Sequence, residues 1–179
     1  MVSALVLGAA LAVTAGSFVA MSSGAAGSNA VACQTGWLTA KTGRASAAAG
    51  TSYYTLEIVN HSAQSCTLKG IPVARPGFNS YGMPSFAAVG PPAVKESFAG
   101  RGNVVVMRTG KIASVELGIG TAANYPRVKC APRTITEVDV AFSMGKTTAH
   151  VEFSLPKQAV CTKLASTNIA GIALGTHFP

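Results

Sequence analysis

The chain has 179 residues and a mass of 18.0 kDa, a length typical of one domain with a real hydrophobic core. Charged residues make up only 11% of it, yet 14 Lys and Arg stand against 6 Asp and Glu, which gives a net charge of +8. This imbalance favours anionic surroundings without selecting one of them. Aromatic residues are only 7%, with no basic run among them, which argues against nucleic-acid binding.

The first 30 residues have the pattern of a secretory signal. Residues 1–21 form an apolar run, a small-residue stretch follows, and the first charged residue of the chain is Lys41. Small residues at 28 and 30 suit a cleavage site, so we expect residues 1–30 to be removed and 31–179 to form a single mature domain. Because an apolar run of about 20 residues can just span a bilayer, an uncleaved membrane anchor is the alternative. Membrane contact is expected only through such an uncleaved leader.

Short runs rich in β-branched and aromatic residues, separated by Gly, Pro, Asn and Ser, predict strands along the mature region. Trp37 to Lys41 predicts the first strand, and the small residues from Gly43 to Gly50 predict a linker. Alternating residues from Tyr53 to Val59 predict a half-buried strand.

After that strand, the sequence contains Asn60, His61 and Cys66, which suit either a reactive cluster or a bend between two strands. We favour the bend: Asn60 and Ser62 are expected to hydrogen-bond to the backbone of a turn. A new strand then begins at Cys66, and Gly70 and Pro72 end it.

Residues 72–102 carry five prolines and several glycines, and they predict a long irregular excursion with at most an edge strand. We expect it to be the most mobile surface and a place for binding. Two hairpins are predicted after it, joining 103–108 to 112–117 and 134–142 to 147–155, and residues 165–179 predict a last short strand. About seven strands at this spacing predict an all-β fold, an antiparallel immunoglobulin-like β-sandwich.

The four cysteines all lie in the predicted mature region and no two of them form a C-x-x-C pair. This pattern favours disulfides in an oxidising compartment over a zinc or thiol redox site. Of the three connectivities, we favour Cys33 with Cys66 and Cys130 with Cys161, because each pair joins neighbouring segments.

Catalytic and cofactor patterns are weak. Residues 118–123 match G-x-G-x-x-A, but Pro126 follows at once where a dinucleotide fold needs a helix, so no cofactor is expected. Asp139 and His150 are predicted to meet across the second hairpin, which indicates a cross-strand pair more than a catalytic dyad. Three scattered histidines predict no metal site. We therefore expect no enzymatic activity, with a hydrolase that uses His150 and Asp139 as the alternative.

The densest basic cluster of the sequence surrounds the third cysteine. It consists of Arg127, Lys129 and Arg133, and it suits either a solvated loop or an anion-binding patch.

Several of these features together resemble a family of exported actinobacterial domains of unknown function, the domain-of-unknown-function family 4232. The resemblance covers residues 33 to 174 and is carried most specifically by C-T-L-x-G-x-P, which begins at Cys66. An early cysteine, a strand that ends at Asn60, a V-x-x-x-G segment and two late cysteines complete it, whereas residues 168–179 depart from the pattern. The resemblance implies secreted or lipid-anchored β-sandwiches and carries over no catalytic residue.

These observations predict a secreted or cell-envelope β-sandwich that acts as a non-catalytic binding or structural module with a basic surface. An anionic envelope polymer or another envelope protein is the expected partner. A protein-interaction module that uses its sheet edges is a further alternative.

Overall fold

The computed structural model describes residues 31–79, 86–96, 104–144 and 146–175. The predicted signal segment, residues 1–30, lies outside this part of the chain. The predicted all-β class is confirmed, with twelve strands in the described residues where the sequence indicated about seven. The additional strands have two to seven residues, and most are too short for a two-residue alternation to be recognised. The strands are β1 (Leu38–Ala48), β2 (Thr51–Asn60), β3 (Cys66–Lys69), β4 (Val73–Asn79), β5 (Phe86–Ala88), β6 (Val94–Lys95), β7 (Val104–Met107), β8 (Ile112–Gly120), β9 (Pro132–Met144), β10 (Thr147–Cys161), β11 (Thr167–Ile169) and β12 (Ala173–Leu174).

The strands form three sheets that share one core. The largest has the order β1-β2-β8-β11-β6, with β12 also paired to β8, and the second has the order β10-β9-β4-β5. Strands β3 and β7 form a two-stranded sheet. Neighbouring strands are antiparallel except β11 and β6, which are parallel. Within the described ranges, the helical segments are two single turns, Thr35–Trp37 and Ala122–Asn124, and one four-residue helix, α1 (Arg127–Cys130).

The core lies between the two larger sheets and follows from the alternation of their strands. On β10, the side chains of Ala149, Val151 and Phe153 are buried while His150 and Glu152 between them are exposed. Four apolar residues of β9 are fully buried, namely Ile135, Val138, Val140 and Phe142. They pack in one cluster with Leu56, Ile58, Val115 and Leu117 of the largest sheet. Burial of each such side chain contributes about 1.5–3 kcal/mol, so this interleaving holds the two sheets together.

The predicted linker between Gly43 and Gly50 is wrong, because β1 continues to Ala48. Its backbone pairs with β2 as far as Ala48 opposite Thr51, so hydrogen bonding to the neighbouring strand outweighs the low strand propensity of small residues. The turn that follows has positive φ at Ala49 (48°) and Gly50 (75°), the conformation that a tight hairpin requires.

The predicted irregular excursion is also partly wrong, since it contains an internal strand. Strand β4 lies between β9 and β5, and its Ala74 is fully buried. Pro76 lacks an amide hydrogen, but its carbonyl accepts a hydrogen bond from the Val89 amide at 2.7 Å. Residues 80–85 and 97–103 lie outside the described part of the chain.

Of the two predicted hairpins, only the second is confirmed. Strands β9 and β10 pair along nearly their whole length, with an irregularity between Ser154 and Gln158. Strands β7 and β8 do not pair with each other, because β7 pairs with β3 and β8 pairs with β2. The Thr109–Lys111 connection therefore leads the chain from one sheet to another. The predicted last short strand is present as β11, followed by β12.

Candidate functional site

The predicted turn after β2 is a buried hydrogen-bonded corner. Asn60 is completely buried. Its Nδ2 donates to the carbonyl oxygens of Gln64 (2.7 Å) and Met107 (2.8 Å), and its Oδ1 accepts from the amide (3.0 Å) and hydroxyl (2.8 Å) of Ser62. The side chain thus uses its whole hydrogen-bonding capacity within the protein.

The backbone of Asn60 joins this corner to the connection between β7 and β8. The Gly110 amide donates to the Asn60 carbonyl at 2.7 Å, and the Asn60 amide donates to the Lys111 carbonyl at 3.3 Å. After β3, Gly70 has a φ of 77° and Pro72 is buried. These hydrogen bonds hold the connection between β7 and β8 at the end of β2. Of the four predicted turn residues, Asn60 and Ser62 form the corner, whereas Gly70 and Pro72 follow β3. We call this region the Asn60 end.

The predicted disulfide pairing is confirmed, and the two bonds lie at opposite ends of β2. Cys33 is bonded to Cys66, with Cα atoms 4.8 Å apart, and Cys130 to Cys161, with Cα atoms 4.5 Å apart. Cys66 lies opposite Met107, a partner of the Asn60 side chain at the last residue of β2. The other bond packs in one cluster with Ala122, next to Thr121, whose amide donates to the Gly50 carbonyl just before β2. Two disulfides are typical of a protein in an oxidising compartment.

Asp139 and His150 meet across the β9–β10 hairpin as predicted. His150 Nδ1 lies 3.1 Å from Asp139 Oδ2 and 3.2 Å from Oδ1. An ionised carboxylate only accepts hydrogen bonds, so this pair places the proton of a neutral imidazole on Nδ1. The Asp139 side chain is 10% exposed and that of His150 is 53% exposed.

The neighbours of this pair come from β4, β10 and the turn before β1. The residues directly opposite Asp139 are Arg75 on β4 and Glu152 on β10, and the His150 amide donates to Thr35 Oγ1. Among the described residues, no hydrogen bond joins the His150 ring to a hydroxyl or thiol group, and no three His, Cys, Asp or Glu side chains are placed to hold a metal ion. The arrangement is that of a cross-strand pair.

The glycines of the G-x-G-x-x-A match lie where neighbouring groups come close to the backbone of β8. A Cβ on Gly118 would overlap the Asn168 side chain, and one on Gly120 would lie 3.1 Å from the Ser166 carbonyl oxygen. Strand β8 ends at Gly120, and the short turn Ala122–Asn124 follows it. The two glycines of the motif therefore let β8 pack closely against the segment that carries β11.

The structure brings the predicted basic residues together around the second disulfide. Arg127 and Lys129 lie on α1, and Arg133 is the second residue of β9. Lys163 joins them, because its Nζ donates to the Val128 carbonyl at 3.3 Å. All four cationic side chains belong to exposed residues. We call Arg127, Lys129, Arg133 and Lys163 the basic end.

Lys163 could not be found as a member of this cluster by proximity in the sequence, because it is 30 to 36 residues from the other three cations. The signal that could have found it is the cysteine pairing, since Lys163 follows Cys161 by two residues just as Lys129 precedes Cys130 by one. A disulfide between these cysteines places both lysines in one neighbourhood.

The backbone of the basic end is fixed by local hydrogen bonds. The amides of Lys129 and Cys130 each donate to the Pro126 carbonyl at 2.9 Å, and the Ala131 amide donates to the Arg127 carbonyl at 2.7 Å. Ala131 closes the turn in the left-handed conformation, with a φ of 46°. The Thr162 amide adds a hydrogen bond to the Cys130 carbonyl. The cations are thus carried on a closed, cross-linked turn.

No acidic side chain is supplied by the segments that build this end. Residues 117–136 and 153–179 contain no Asp or Glu. The ion pairs within the described ranges are Lys41 with Glu57, at 3.9 Å, and Asp139 with His150. None of the four cations of the basic end takes part in them, so no ion pair within these ranges neutralises their charges.

Five of the six acidic residues lie on strands and Glu96 directly follows β6; one of the five, Glu116, has a shifted pKa. Burial, and then the neighbouring Glu96 carboxylate, raise the pKa of Glu116 on β8 above its ordinary value of 4.5. Asn168 on β11 donates a short hydrogen bond to Glu96 Oε1, which holds that carboxylate beside β8.

None of the helical segments in the described ranges has the length and apolar character needed to cross a bilayer. A family model with the description Domain of unknown function (DUF4232) matches residues 33–170. No curated protein and no solved structure matches the chain.

Proposed function

The chain belongs to the domain-of-unknown-function family DUF4232, and from this premise we propose that it is a secreted, non-catalytic module that binds an anionic component of the cell envelope through its basic end. The observation that carries the proposal is the gathering of four cations around the Cys130–Cys161 bond without an acidic partner.

The chemistry of these cations suits carboxylate and phosphate groups. The guanidinium groups of Arg127 and Arg133 present paired donors that match either group, while Lys129 and Lys163 act as mobile point charges. One exposed cation contributes little to binding, but several on one surface attract the same polyanion together.

The rigidity of the turn supports binding as well. Arg127 and Lys129 stand on α1, whose carbonyl and amide groups are tied to Pro126 and Ala131, and the disulfide cross-links it to β10. A surface that is already ordered loses less conformational entropy when a ligand binds. This turn therefore loses less conformational entropy on binding than a flexible basic tail would.

Export is the second part of the proposal. Two disulfides in 179 residues suit an oxidising compartment, and the apolar pattern of residues 1–30 suits a secretory signal. In that setting, anionic polymers and lipids of the envelope are the abundant partners for a positive surface.

A retention experiment with matched charge reversals tests the proposal. The full chain is incubated with isolated envelope material at increasing salt, beside Arg127→Glu/Lys129→Glu and the control Arg108→Glu/Lys111→Glu. Arg108 and Lys111 are exposed residues next to Gly110 at the Asn60 end, and both double variants change the net charge by the same amount, from +8 to +4, because two cations become two anions.

We expect the native protein to be released by salt, and the Arg127→Glu/Lys129→Glu variant to bind at least about tenfold more weakly than the control variant. Retention that is insensitive to salt, no retention, or equal weakening in both variants would contradict the proposal.

A hydrolase that uses His150 and Asp139 is the second candidate, favoured only by the 3.1 Å contact between them. A positioned carboxylate and an exposed imidazole are two parts of a general-base arrangement. If a substrate is found, full activity in His150→Ala would remove this candidate, whereas a loss of several orders of magnitude would replace the binding role with catalysis.

A further inference from the structure

The tip of the basic end is apolar. Val128 is 82% exposed, the highest value among the exposed large hydrophobic residues of the described chain. It lies between Arg127 and Lys129 in the sequence, on the one-turn helix α1. A single exposed valine is common on protein surfaces and needs no explanation by itself. Here, however, the exposed valine lies between two cations on one rigid turn.

Helical geometry explains why Val128 projects. Successive residues of a helix are separated by about 100°, so Val128 lies about 160° around the axis from Cys130. Cys130 is fully buried and bonded to Cys161, which fixes one side of the turn against the protein. Val128 consequently points to solvent, with Arg127 and Lys129 on either side of it.

A third cation lies beside the same residue. The Lys163 ammonium group donates to the Val128 carbonyl at 3.3 Å, so its charge stands next to the tip. The apolar group thus stands on a rigid turn that also carries two cations and binds a third, and its segment contains no acidic residue.

We propose that the basic end docks on the surface of a bilayer that contains anionic phospholipid, with the Val128 side chain inserted between the headgroups. This proposal rests on the proposed function and names the component that the basic end binds. Cations near an anionic leaflet and an apolar side chain at the headgroup level are the two contributions that hold peripheral proteins on membranes.

The apolar tip favours a bilayer over a soluble polymer. A polyanion in water would engage Arg127, Lys129 and Lys163, but it would leave the Val128 side chain in solvent. A bilayer accepts both groups, since the headgroups meet the cations while the acyl boundary removes the isopropyl group from water. Each cation is expected to strengthen binding about fivefold, and Val128 about threefold.

A fluorescent reporter at the tip tests this directly. The full chain carrying Val128→Trp is mixed with vesicles of phosphatidylcholine and phosphatidylglycerol, or of phosphatidylcholine alone, with and without brominated acyl chains. The matched control is Val94→Trp, since Val94 is also exposed, at 55%, on β6 at the edge of the largest sheet. The native protein supplies the background emission of its one tryptophan, Trp37.

The expected result is a blue shift and bromine quenching for Val128→Trp on the anionic vesicles only, with neither effect for Val94→Trp. Attachment through residues 1–30 would bring both variants to both kinds of vesicle without this difference. In parallel, Val128→Ser is expected to bind the anionic vesicles about threefold more weakly and to bind polyphosphate as the native protein does.

Vesicle binding without a shift at position 128, or binding to polyphosphate alone, would overturn the membrane proposal and leave the anion-binding function standing. If neither vesicles nor polyphosphate nor envelope material were bound in a salt-dependent way, both proposals would fail.

Discussion

The two ends of the sandwich are each closed by a disulfide across a similar separation, 33 residues at the Asn60 end and 31 at the basic end. Their polar groups are arranged in opposite ways. Asn60 turns inward and satisfies four groups of the surrounding chain, whereas Arg127, Lys129 and Lys163 are exposed around a turn whose backbone is satisfied locally.

The two disulfides therefore have different structural roles. At the Asn60 end, the Cys33–Cys66 bond adds to the buried hydrogen bonds of Asn60, which hold the connection between β7 and β8. At the basic end, it holds a small exposed turn in place and so keeps charges close together. A change at the first end should therefore affect stability, and a change at the second should affect stability and anion binding together.

The largest expected effect comes from removing either disulfide. In the chain-entropy model, loops of 33 and 31 residues each contribute about 3–4 kcal/mol to the free energy of unfolding. We expect Cys33→Ser/Cys66→Ser and Cys130→Ser/Cys161→Ser to lose similar stability in urea unfolding. Only the second should also lose affinity for polyphosphate, measured where both variants are folded. Equal losses of affinity in the two double variants would show that anion binding has no specific dependence on the Cys130–Cys161 bond.

A smaller loss is expected from Asn60→Ala. The substitution removes both side-chain donors and the acceptor that hold Gln64, Met107 and Ser62, and it leaves buried backbone groups without partners. The expected cost is about 2–4 kcal/mol, measured by urea unfolding, with anion binding unchanged. Ser62→Ala is the matched control and should cost about 1 kcal/mol, because it removes only hydroxyl contacts. Equal costs for the two variants would show that Asn60 is not the centre of the corner.

The smallest expected effect is a pH-dependent gain from Glu116→Gln. Because burial and Glu96 raise the pKa of Glu116, the folded protein binds its proton more tightly than the unfolded chain, and the ionised form destabilises the fold at neutral pH. This cost disappears as the pH falls through the raised pKa and below 4.5, where the carboxyl is protonated in both states. We expect Glu116→Gln to raise Tm at pH 7 by on the order of 1 °C and to have no such advantage below pH 4.5. A larger gain in acid than at pH 7 would have the wrong sign.

The regular parts of the fold could be predicted from the sequence because their signals are local. Alternation identified β2, the turn residues at 143–146 identified the β9–β10 hairpin, and the spacing of cysteines indicated the correct pairing. The sheet change at Thr109–Lys111 could not be predicted in this way, because it depends on the distant Asn60 side chain and its contact with Met107. Strand β1 was underestimated for a similar reason, since its small residues form a strand through pairing with β2.

In the candidate site too, the residues with local signals could be predicted and those that depend on distant contacts could not. Arg127, Lys129 and Arg133 are close in sequence and could be found there, whereas Lys163 joins them only after the disulfide brings its segment alongside. The exposure of Val128 depends on the burial of Cys130 on the other side of α1, which no local pattern indicates.

A nuclear magnetic resonance titration shows which of the two ends binds an anion. The backbone amides of the isotope-labelled protein are followed while a short-chain polyphosphate is added at low salt. We predict that the shifts concentrate on residues 126–133 and 161–163 and vanish as salt is raised, with the amides around Asn60 unchanged. Shifts centred on the Asn60 end, or the absence of shifts at the basic end, would contradict the account.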